Sequence, residues 1–229
     1  MPDAHDFKGL NSMTDADVLS DLEIAALISS KICHDVIGPV GAISIGLQLH
    51  DEEKDEDARR YAFDMIRNVT AQASVCLEFA RFAFGASGSA GALIDLGMAE
   101  KISRGYVVNG KGKAKHRLNW SGPPGYMSKD KVKLLLNIIA SAITGLPKGG
   151  DIDVTIEGSV EKPAFHVVCR GTGARLPQHL NEFVTGKDEP ALDAMTIQAY
   201  YTTRLAKLAQ MPISVTKDGL DVRIHAAAQ

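Results

Sequence analysis

The chain has 229 residues, of which 45% are hydrophobic, and its formal net charge is −3. This length suits one large domain or two small ones with a buried core. Acidic and basic residues are mixed along the chain, so we expect no nucleic-acid partner, which would call for a dense basic patch. The three cysteines are odd in number and far apart, which argues against a disulfide framework or a metal cluster and indicates a reduced, cytoplasmic setting: Cys33, Cys76 and Cys169.

Targeting signals are not evident in the sequence. Polar residues or glycine interrupt the apolar stretches within about a dozen residues, which is too short for a bilayer span. Residues 1–11 lack the charged-then-apolar order of a signal peptide. We therefore expect no membrane association, and we expect residues 1–13 to form a flexible polar leader.

Residues 14–85 are predicted to form an antiparallel helical hairpin. The first helix begins near residues 14–17 or at Ser20, where Ser20-Asp21-Leu22-Glu23 is typical of a capping box. Acidic residues 51–57 separate it from the second helix. Small or apolar residues recur in steps of three and four along both helices: Leu22, Ala25, Ala26, Ser29, Ile32, Val36, Val40, Ile43 and Leu47, then Ala62, Ile66, Val69, Ala73, Cys76, Ala80 and Ala83. A lone hairpin cannot bury these faces, so a homodimeric four-helix bundle is predicted.

The second half of the chain is predicted to be an α/β sandwich. The Gly/Ser-rich residues 86–92 form a linker, and residues 93–229 form the sandwich, which makes the fold class α+β. Its predicted elements are, in order, a helix over 95–106, a strand over 116–120, a helix over 129–143, strands over 151–157 and 164–169, a helix around 194–209, and strands near 213–216 and 221–226. Phe79, Phe82 and Phe84 are predicted to pack the end of the bundle against this domain.

His34 is the candidate chemical group. Advancing about 100° per residue from a buried stripe at Ile32, Val36 and Val40 places it on the opposite, outward face. Its neighbours on that face are small or apolar where charge would be usual, which is typical of a protein-docking surface: Ser30, Lys31, Ile37, Gly38, Gly41, Ala42 and Ile45. Gly38, Pro39 and Gly41 are unfavourable inside a helix, so a kink kept for a reason other than stability is expected.

An imidazole can carry a phosphoryl group, because a ring nitrogen is an available nucleophile near neutral pH. Asp35 could hold the other ring nitrogen, fix the tautomer and stabilise positive charge, and Lys31 could neutralise phosphate oxygens. The spacing alone favours a surface histidine that has no chemical role, because a lone His-Asp pair is common and most surface histidines have none. A Cys33–His34 dyad is less favoured, because adjacent helical residues point about 100° apart. The other histidines lack metal-ligand spacing.

His34-Asp35-Val36-Ile37-Gly38-Pro39 resembles the phosphoacceptor box of sensor histidine kinases, and the second half follows the order of their ATP-binding domain. Cys33-His34-Asp35 with Pro39-Val40-Gly41-Ala42 is more closely similar to the ChpT-type histidine phosphotransferases of alphaproteobacterial phosphorelays. This resemblance implies that His34 accepts phosphate from the receiver domain of a hybrid histidine kinase. It also implies transfer to response-regulator receivers that control the cell cycle, with Mg²⁺ held by the receiver and no cofactor of the chain's own.

The chain departs from the kinases at the nucleotide site. Ser141 stands where the resemblance places the asparagine that holds magnesium, and Cys169 or Arg170 replaces the aspartate that reads adenine. Gly171 and Gly173 remain, but a lone Gly-x-Gly is weak evidence of phosphate binding. The lid segment, residues 196–201, contains no glycine. ATP binding is therefore expected to be lost.

Further expectations concern the partner surface. Gly38 stands where bifunctional kinases often carry a threonine or asparagine that orients water, which implies transfer without phosphatase activity. Arg170 and Arg175, placed on the loop after a strand, are candidate contacts for an acidic receiver. Two alternatives stay open at this point: an active histidine kinase with a divergent nucleotide site, and a non-catalytic dimeric adaptor in which His34 is incidental.

Overall fold

The computed structural model describes residues 19–85, 91–110 and 115–228, with the side chains of 109 and 110 left aside. The leader expected at 1–13 and residues 86–90 of the expected linker lie outside these ranges. Within them, helix α1 spans Asp21–Glu52 and helix α2 spans Glu56–Ala83. Ser20 and Glu23 form the predicted capping box, and Asp55 accepts the Ala58 N–H to cap α2.

The hairpin is closed by a different face of α1 from the one predicted. The residues of α1 that are buried in the single chain are Ile24, Lys31 and Gly46, which lie on one side of the helix. Val40 and Leu47, on the predicted stripe, are about half exposed. The predicted stripe of α2 is correct, because Ala62, Ala73, Cys76, Ala80 and Ala83 are all buried. The apolar stripe predicted on α1 is therefore left largely uncovered by the chain itself.

Helix α1 also contradicts the expectation that every apolar stretch is too short to span a bilayer. Among the described helices, its 32 residues pass a test of length and composition for a membrane span. A core helix passes the same test, and Lys31 and Asp35 carry opposite charges in the middle of α1. Apolar residues on several sides are what a helix of a multi-helix bundle requires.

The second domain is an α/β sandwich, as predicted. Its elements are β1 (Leu93–Asp95), α3 (Leu96–Gly105), a π-helical segment (Tyr106–Gly110), β2 (His116–Ser121), β3 (Tyr126–Ser128), α4 (Lys129–Thr144), β4 (Gly150–Gly158), β5 (Pro163–Arg170), α5 (Gln178–Thr185), α6 (Ile197–Leu208), β6 (Ile213–Asp218) and β7 (Asp221–Ala227). The main sheet has the order β2-β4-β5-β7-β6, with β2 parallel to β4 and the other pairs antiparallel. Strands β1 and β3 pair separately.

Four of these elements were not predicted from the sequence: β1, β3, the π-helical segment and α5. The two strands have three residues each, which is too short to show a period of two, and α5 has only eight residues. Their existence depends on tertiary contacts. One example is the antiparallel pairing of Ile94 with Met127, both of which are buried.

The end of the hairpin belongs to the core of the second domain. The ring of Phe79 stacks on Tyr106 with centroids 3.7 Å apart, and Phe84 meets Tyr201 at 5.7 Å. The side chain of Asn137 in α4 donates to the Ala83 carbonyl over 3.1 Å. The predicted packing of the α2 phenylalanines against the second domain is confirmed, and it sets the orientation of α1 and α2 on the sandwich.

Candidate functional site

His34 lies on α1, and 57% of its side chain is exposed. It borders a cavity of about 340 Å³ between the two helices of the hairpin. The other lining residues are Asp35, Gly38, Pro39 and Ala42 from α1 and Val69, Gln72 and Cys76 from α2. The imidazole therefore stands at the edge of an interhelical groove with one side facing solvent.

The surface around His34 is open and apolar. Ile37 is 71% exposed and Ile45 is 64% exposed. A Cβ atom added to Gly38 or Gly41 would meet nothing within 4 Å, so neither glycine is needed for packing inside the chain. The predicted docking residues on this face, Ala42 included, lie together as the helical spacing indicated.

Lys31 is the exception, and its predicted place on the docking surface is wrong. Its exposed fraction is 9%, and it lies on the side of α1 that packs in the hairpin. Its Nζ atom makes an ion pair with Oδ2 of Asp35, one turn further along α1, over 2.9 Å. An ammonium held this way faces a carboxylate rather than the solvent side of His34.

Asp35 extends between this lysine and the imidazole. Its Oδ1 atom is 3.5 Å from Nδ1 of His34, longer than an ordinary hydrogen bond of about 2.9 Å. Only 14% of the Asp35 side chain is exposed, so the carboxylate is much less hydrated than the imidazole beside it. Burial raises the pKa of the nearby Tyr106 well above its usual range, and the charge of Asp35 raises it further.

Arg170 and Arg175 do not line the His34 cavity, whose described walls all come from α1 and α2. Arg170 is the last residue of β5 rather than a loop residue, and its guanidinium makes ion pairs with Asp153 and with Asp221, the latter over 3.2 Å. Arg175 is exposed on the following loop, where its backbone N–H donates to Gly145 over 2.9 Å. The structure therefore assigns Arg170 to cross-strand ion pairing and corrects its predicted location.

The residues predicted to form a degenerate nucleotide site have structural roles. Ser141 is 6% exposed, and its hydroxyl donates to the Asn137 carbonyl within α4. A Cβ atom on Gly171 would collide with the Gly149 carbonyl oxygen, and Gly173 has a positive φ of 76°. These glycines are explained by close backbone approach and by turn geometry. Helix α6, which begins within the glycine-free lid segment, packs directly against α4.

Metal-ligating side chains do not cluster in the part of the chain that the structure describes, since no group of three or more His, Cys, Asp or Glu residues there could hold an ion.

Sequence reasoning missed two features of this site: the burial of Lys31 and the α2 wall formed by Val69, Gln72 and Cys76. A signal for the first was present, because Lys31 and Asp35 are oppositely charged residues four apart in an otherwise apolar helix. The second depends on the register between the two helices, which neither helix determines alone.

Comparisons with known proteins identify the class. The family model described as "Histidine phosphotransferase C-terminal domain" matches residues 96–221, more than half of the chain. The chain belongs to this family of histidine phosphotransferases, and phosphotransfer within a phosphorelay is its function. One relative, the protein phosphotransferase ChpT of Brucella abortus (strain 2308), is 41% identical over 206 residues, which cover 89% of this chain and 95% of that protein.

One solved structure agrees with this assignment. A bacterial phosphotransferase determined at 1.7 Å superposes with a TM-score of 0.83 at 38% identity, covering 91% of this chain and 98% of the other. The histidine kinase AdeS of Acinetobacter baumannii superposes with a TM-score of 0.46 at 13% identity, covering 86% of this chain and 97% of that chain.

Proposed function

We propose that His34 is the phosphoacceptor of this phosphotransferase and that the phosphoryl group moves between receiver-domain aspartates through it. The observation that supports this most strongly is the exposed imidazole on a surface where Gly38 and Gly41 leave open space. A receiver can bring its aspartyl phosphate close to such a ring without displacing side chains. The small residues around His34 thus leave space for a receiver domain to approach the imidazole.

In the proposed reaction, the lone pair of His34 Nε2 attacks the phosphorus of an aspartyl phosphate. A P–N bond forms and the P–O bond to the aspartate carboxylate breaks, so the carboxylate leaves with the electron pair. The Nδ1 atom keeps its proton and faces Asp35, whose negative charge stabilises the positive charge that the ring gains. Transfer to the second receiver is the reverse reaction. Mg²⁺ comes from the acidic pocket of the receiver, and the chain needs no cofactor of its own.

The test follows labelled phosphate from a phosphorylated receiver to the purified protein and on to a second receiver. We expect wild type to become labelled, His34→Ala to stay unlabelled, and Asp35→Ala to be labelled more slowly. Labelling of His34→Ala at the wild-type rate would show that another residue carries the phosphate. A folded His34→Ala protein that still supports relay between the two receivers would favour the adaptor alternative.

The chain does not act as a kinase in this proposal. Support comes from Ser141, which is buried where the resemblance places the magnesium-holding asparagine, and from the packing of α6 against α4. Incubation with labelled Mg-ATP should leave His34 unlabelled. Label on His34 under these conditions would revive the alternative of an active kinase with a divergent nucleotide site.

The active form is a homodimer in which two hairpins form a four-helix bundle. The uncovered stripe of α1, with Leu22 80%, Val40 49% and Leu47 50% exposed, supports this assembly. Light scattering at micromolar concentration should give twice the mass of one chain. A monomer at that concentration would contradict the bundle.

The partners are receiver domains: that of a hybrid histidine kinase as donor and those of cell-cycle response regulators as acceptors. The setting is the cytoplasm, without nucleic-acid or membrane partners, in keeping with the net charge of −3 and the three free cysteines.

Gly38 offers no side chain to orient a hydrolytic water, so the protein does not act as a phosphatase. Incubating a phosphorylated receiver with His34→Ala and finding no faster loss of phosphate than in buffer would support this.

A further inference from the structure

The ion pair between Lys31 and Asp35 is buried, unlike ordinary ion pairs on the surface of a helix. Both side chains are largely buried, with exposed fractions of 11% and 14%. Exposed pairs of this spacing contribute little, whereas the loss of one partner of a buried pair leaves an uncompensated charge. The contact with Lys31 therefore helps to hold the Asp35 carboxylate in place.

The two oxygens of that carboxylate face different groups. Oδ2 is 2.9 Å from Nζ of Lys31, and Oδ1 is 3.5 Å from Nδ1 of His34. Because a carboxylate is rigid and planar, a contact that holds Oδ2 also determines where Oδ1 points. The distance of 3.5 Å is one that a small movement shortens when the imidazole becomes positively charged.

Tyr106 of the second domain lies near the buried ion pair. Tyr106 is 5% exposed, stacks on Phe79 of α2, and is close enough to Asp35 for the two to interact electrostatically. The low exposure of both charged side chains strengthens the interaction between the ammonium and the carboxylate.

We propose that Lys31 is a positioning residue for phosphotransfer: its buried ammonium orients the Asp35 carboxylate, so that Oδ1 selects the Nδ1–H tautomer of His34 and leaves Nε2 as the nucleophile. Lys31 acts through Asp35 and does not touch the phosphate. This inference rests on the proposed role of His34 and adds to it the residue that sets the state of the imidazole.

The central variant is Lys31→Met, which keeps most of the length of the side chain and removes its charge. We expect the maximal rate of transfer from a phosphorylated receiver to fall roughly 10- to 100-fold, because the reacting group loses its orientation. The half-saturating receiver concentration should stay at the wild-type value, since Lys31 is not on the docking surface. Lys31→Arg, which restores a cation, should recover most of the rate.

Structural damage is separated from positioning by the double variant Lys31→Met with Asp35→Asn. Removing both charges avoids leaving the Asp35 carboxylate without the Lys31 ammonium, so the melting temperature should return towards wild type while the transfer rate stays low. An independent readout is the ¹⁵N NMR spectrum of the His34 ring in the free protein. The share of the Nδ1–H tautomer should fall in Lys31→Met and recover in Lys31→Arg.

Three results would overturn the inference: transfer by Lys31→Met at the wild-type rate, a loss confined to the half-saturating concentration, or recovery of both rate and melting temperature in the double variant. The NMR measurement does not require phosphorylation. If wild type carries no label on His34 but the tautomer still responds to Lys31, the proposed function fails while the positioning contact stands.

Discussion

Cys169 shows how one residue changed the chemistry at the end of β5. The kinase resemblance places an acidic residue at or next to this position, where the chain has a fully buried thiol. Burial, together with the nearby charge of Asp221, raises the pKa of the Cys169 thiol from an ordinary value of 9.0 to about 12. A neutral thiol cannot offer the charged acceptor that an aspartate would.

The same shift predicts how stability depends on alkaline pH. Above pH 9 the thiol ionises in the unfolded chain but stays protonated in the folded protein until about pH 12, so the free energy of unfolding falls as pH rises between these values. At pH 10 the expected loss from this group is about 1.4 kcal/mol. Denaturant unfolding of wild type and Cys169→Ala from pH 8 to 10.5 measures it. Equal slopes in the two proteins would contradict the assigned burial.

Thiol reactivity provides a second residue-scale prediction. Cys33 is exposed beside His34, whereas Cys76 and Cys169 are buried. A disulfide reagent added to the native protein should therefore modify one thiol rapidly and two only after denaturation. Cys33→Ser should remove the rapid phase, while Cys76→Ser serves as the control that keeps it. Rapid modification of more than one thiol in the native wild type would show that the hairpin opens readily.

At the scale of the element, α1 serves three surfaces at once. One side packs in the hairpin through Ile24, Lys31 and Gly46, a second carries His34 among small residues, and a third presents the uncovered apolar stripe. Two glycines on this helix differ in the space around them. Gly41 has open space where a Cβ would stand, whereas at Gly46 a Cβ would lie 2.6 Å from Cγ1 of Ile66 in α2.

Alanine at these two glycines should therefore have opposite effects on stability. Gly41→Ala should raise the free energy of unfolding by about 1 kcal/mol through better helix propensity. Gly46→Ala should lower it by about 1–3 kcal/mol, because α2 has to shift. Thermal and denaturant melts of the matched pair test this.

Gly41→Leu places a large side chain on the face that carries His34. This variant should fold and should raise the half-saturating receiver concentration in transfer. An unchanged value would show that Gly41 is not part of the docking surface.

The packing of α4 against α6 predicts the effect of placing an asparagine at position 141. Because Ser141 is buried and α6 packs against α4, we expect that restoring the kinase-like asparagine does not open a nucleotide cleft. Ser141→Asn should lower stability by about 1–3 kcal/mol through overpacking and should bind no ATP in equilibrium dialysis. ATP binding by this variant would mean that the site was lost through its side chains alone.

At the scale of the whole molecule, the hairpin and the sandwich share one core, although the sequence separates them by a Gly/Ser-rich segment. Phe79 and Ala83 of α2 are buried together with Leu135 and Ile139 of α4. Arg204 of α6 also reaches Asp21 at the start of α1, with Nη2 and Oδ1 3.6 Å apart. The second domain therefore packs against the hairpin through a shared hydrophobic core.

Assembly is tested by a pair of charge substitutions on α1. Val40 belongs to the uncovered stripe and Ile45 to the face that carries His34, and both are exposed in the single chain. Val40→Glu should give a monomer by light scattering, because a carboxylate would be buried in the bundle. Ile45→Glu should leave the dimer intact and slow transfer by weakening receiver docking. Dimerisation of Val40→Glu at micromolar concentration would exclude this stripe from the interface.

The sequence alone determined the helical hairpin, the order of the main elements of the sandwich and the outward face of His34, because each depends on local periodicity and on caps such as Ser20 and Glu23. Only the tertiary structure decided that Val69, Gln72 and Cys76 of α2 line the His34 cavity, that Arg170 is held by carboxylates of neighbouring strands, and that α6 packs on α4. These depend on how elements distant in sequence meet, and a pattern within one helix or strand carries no information about its neighbour.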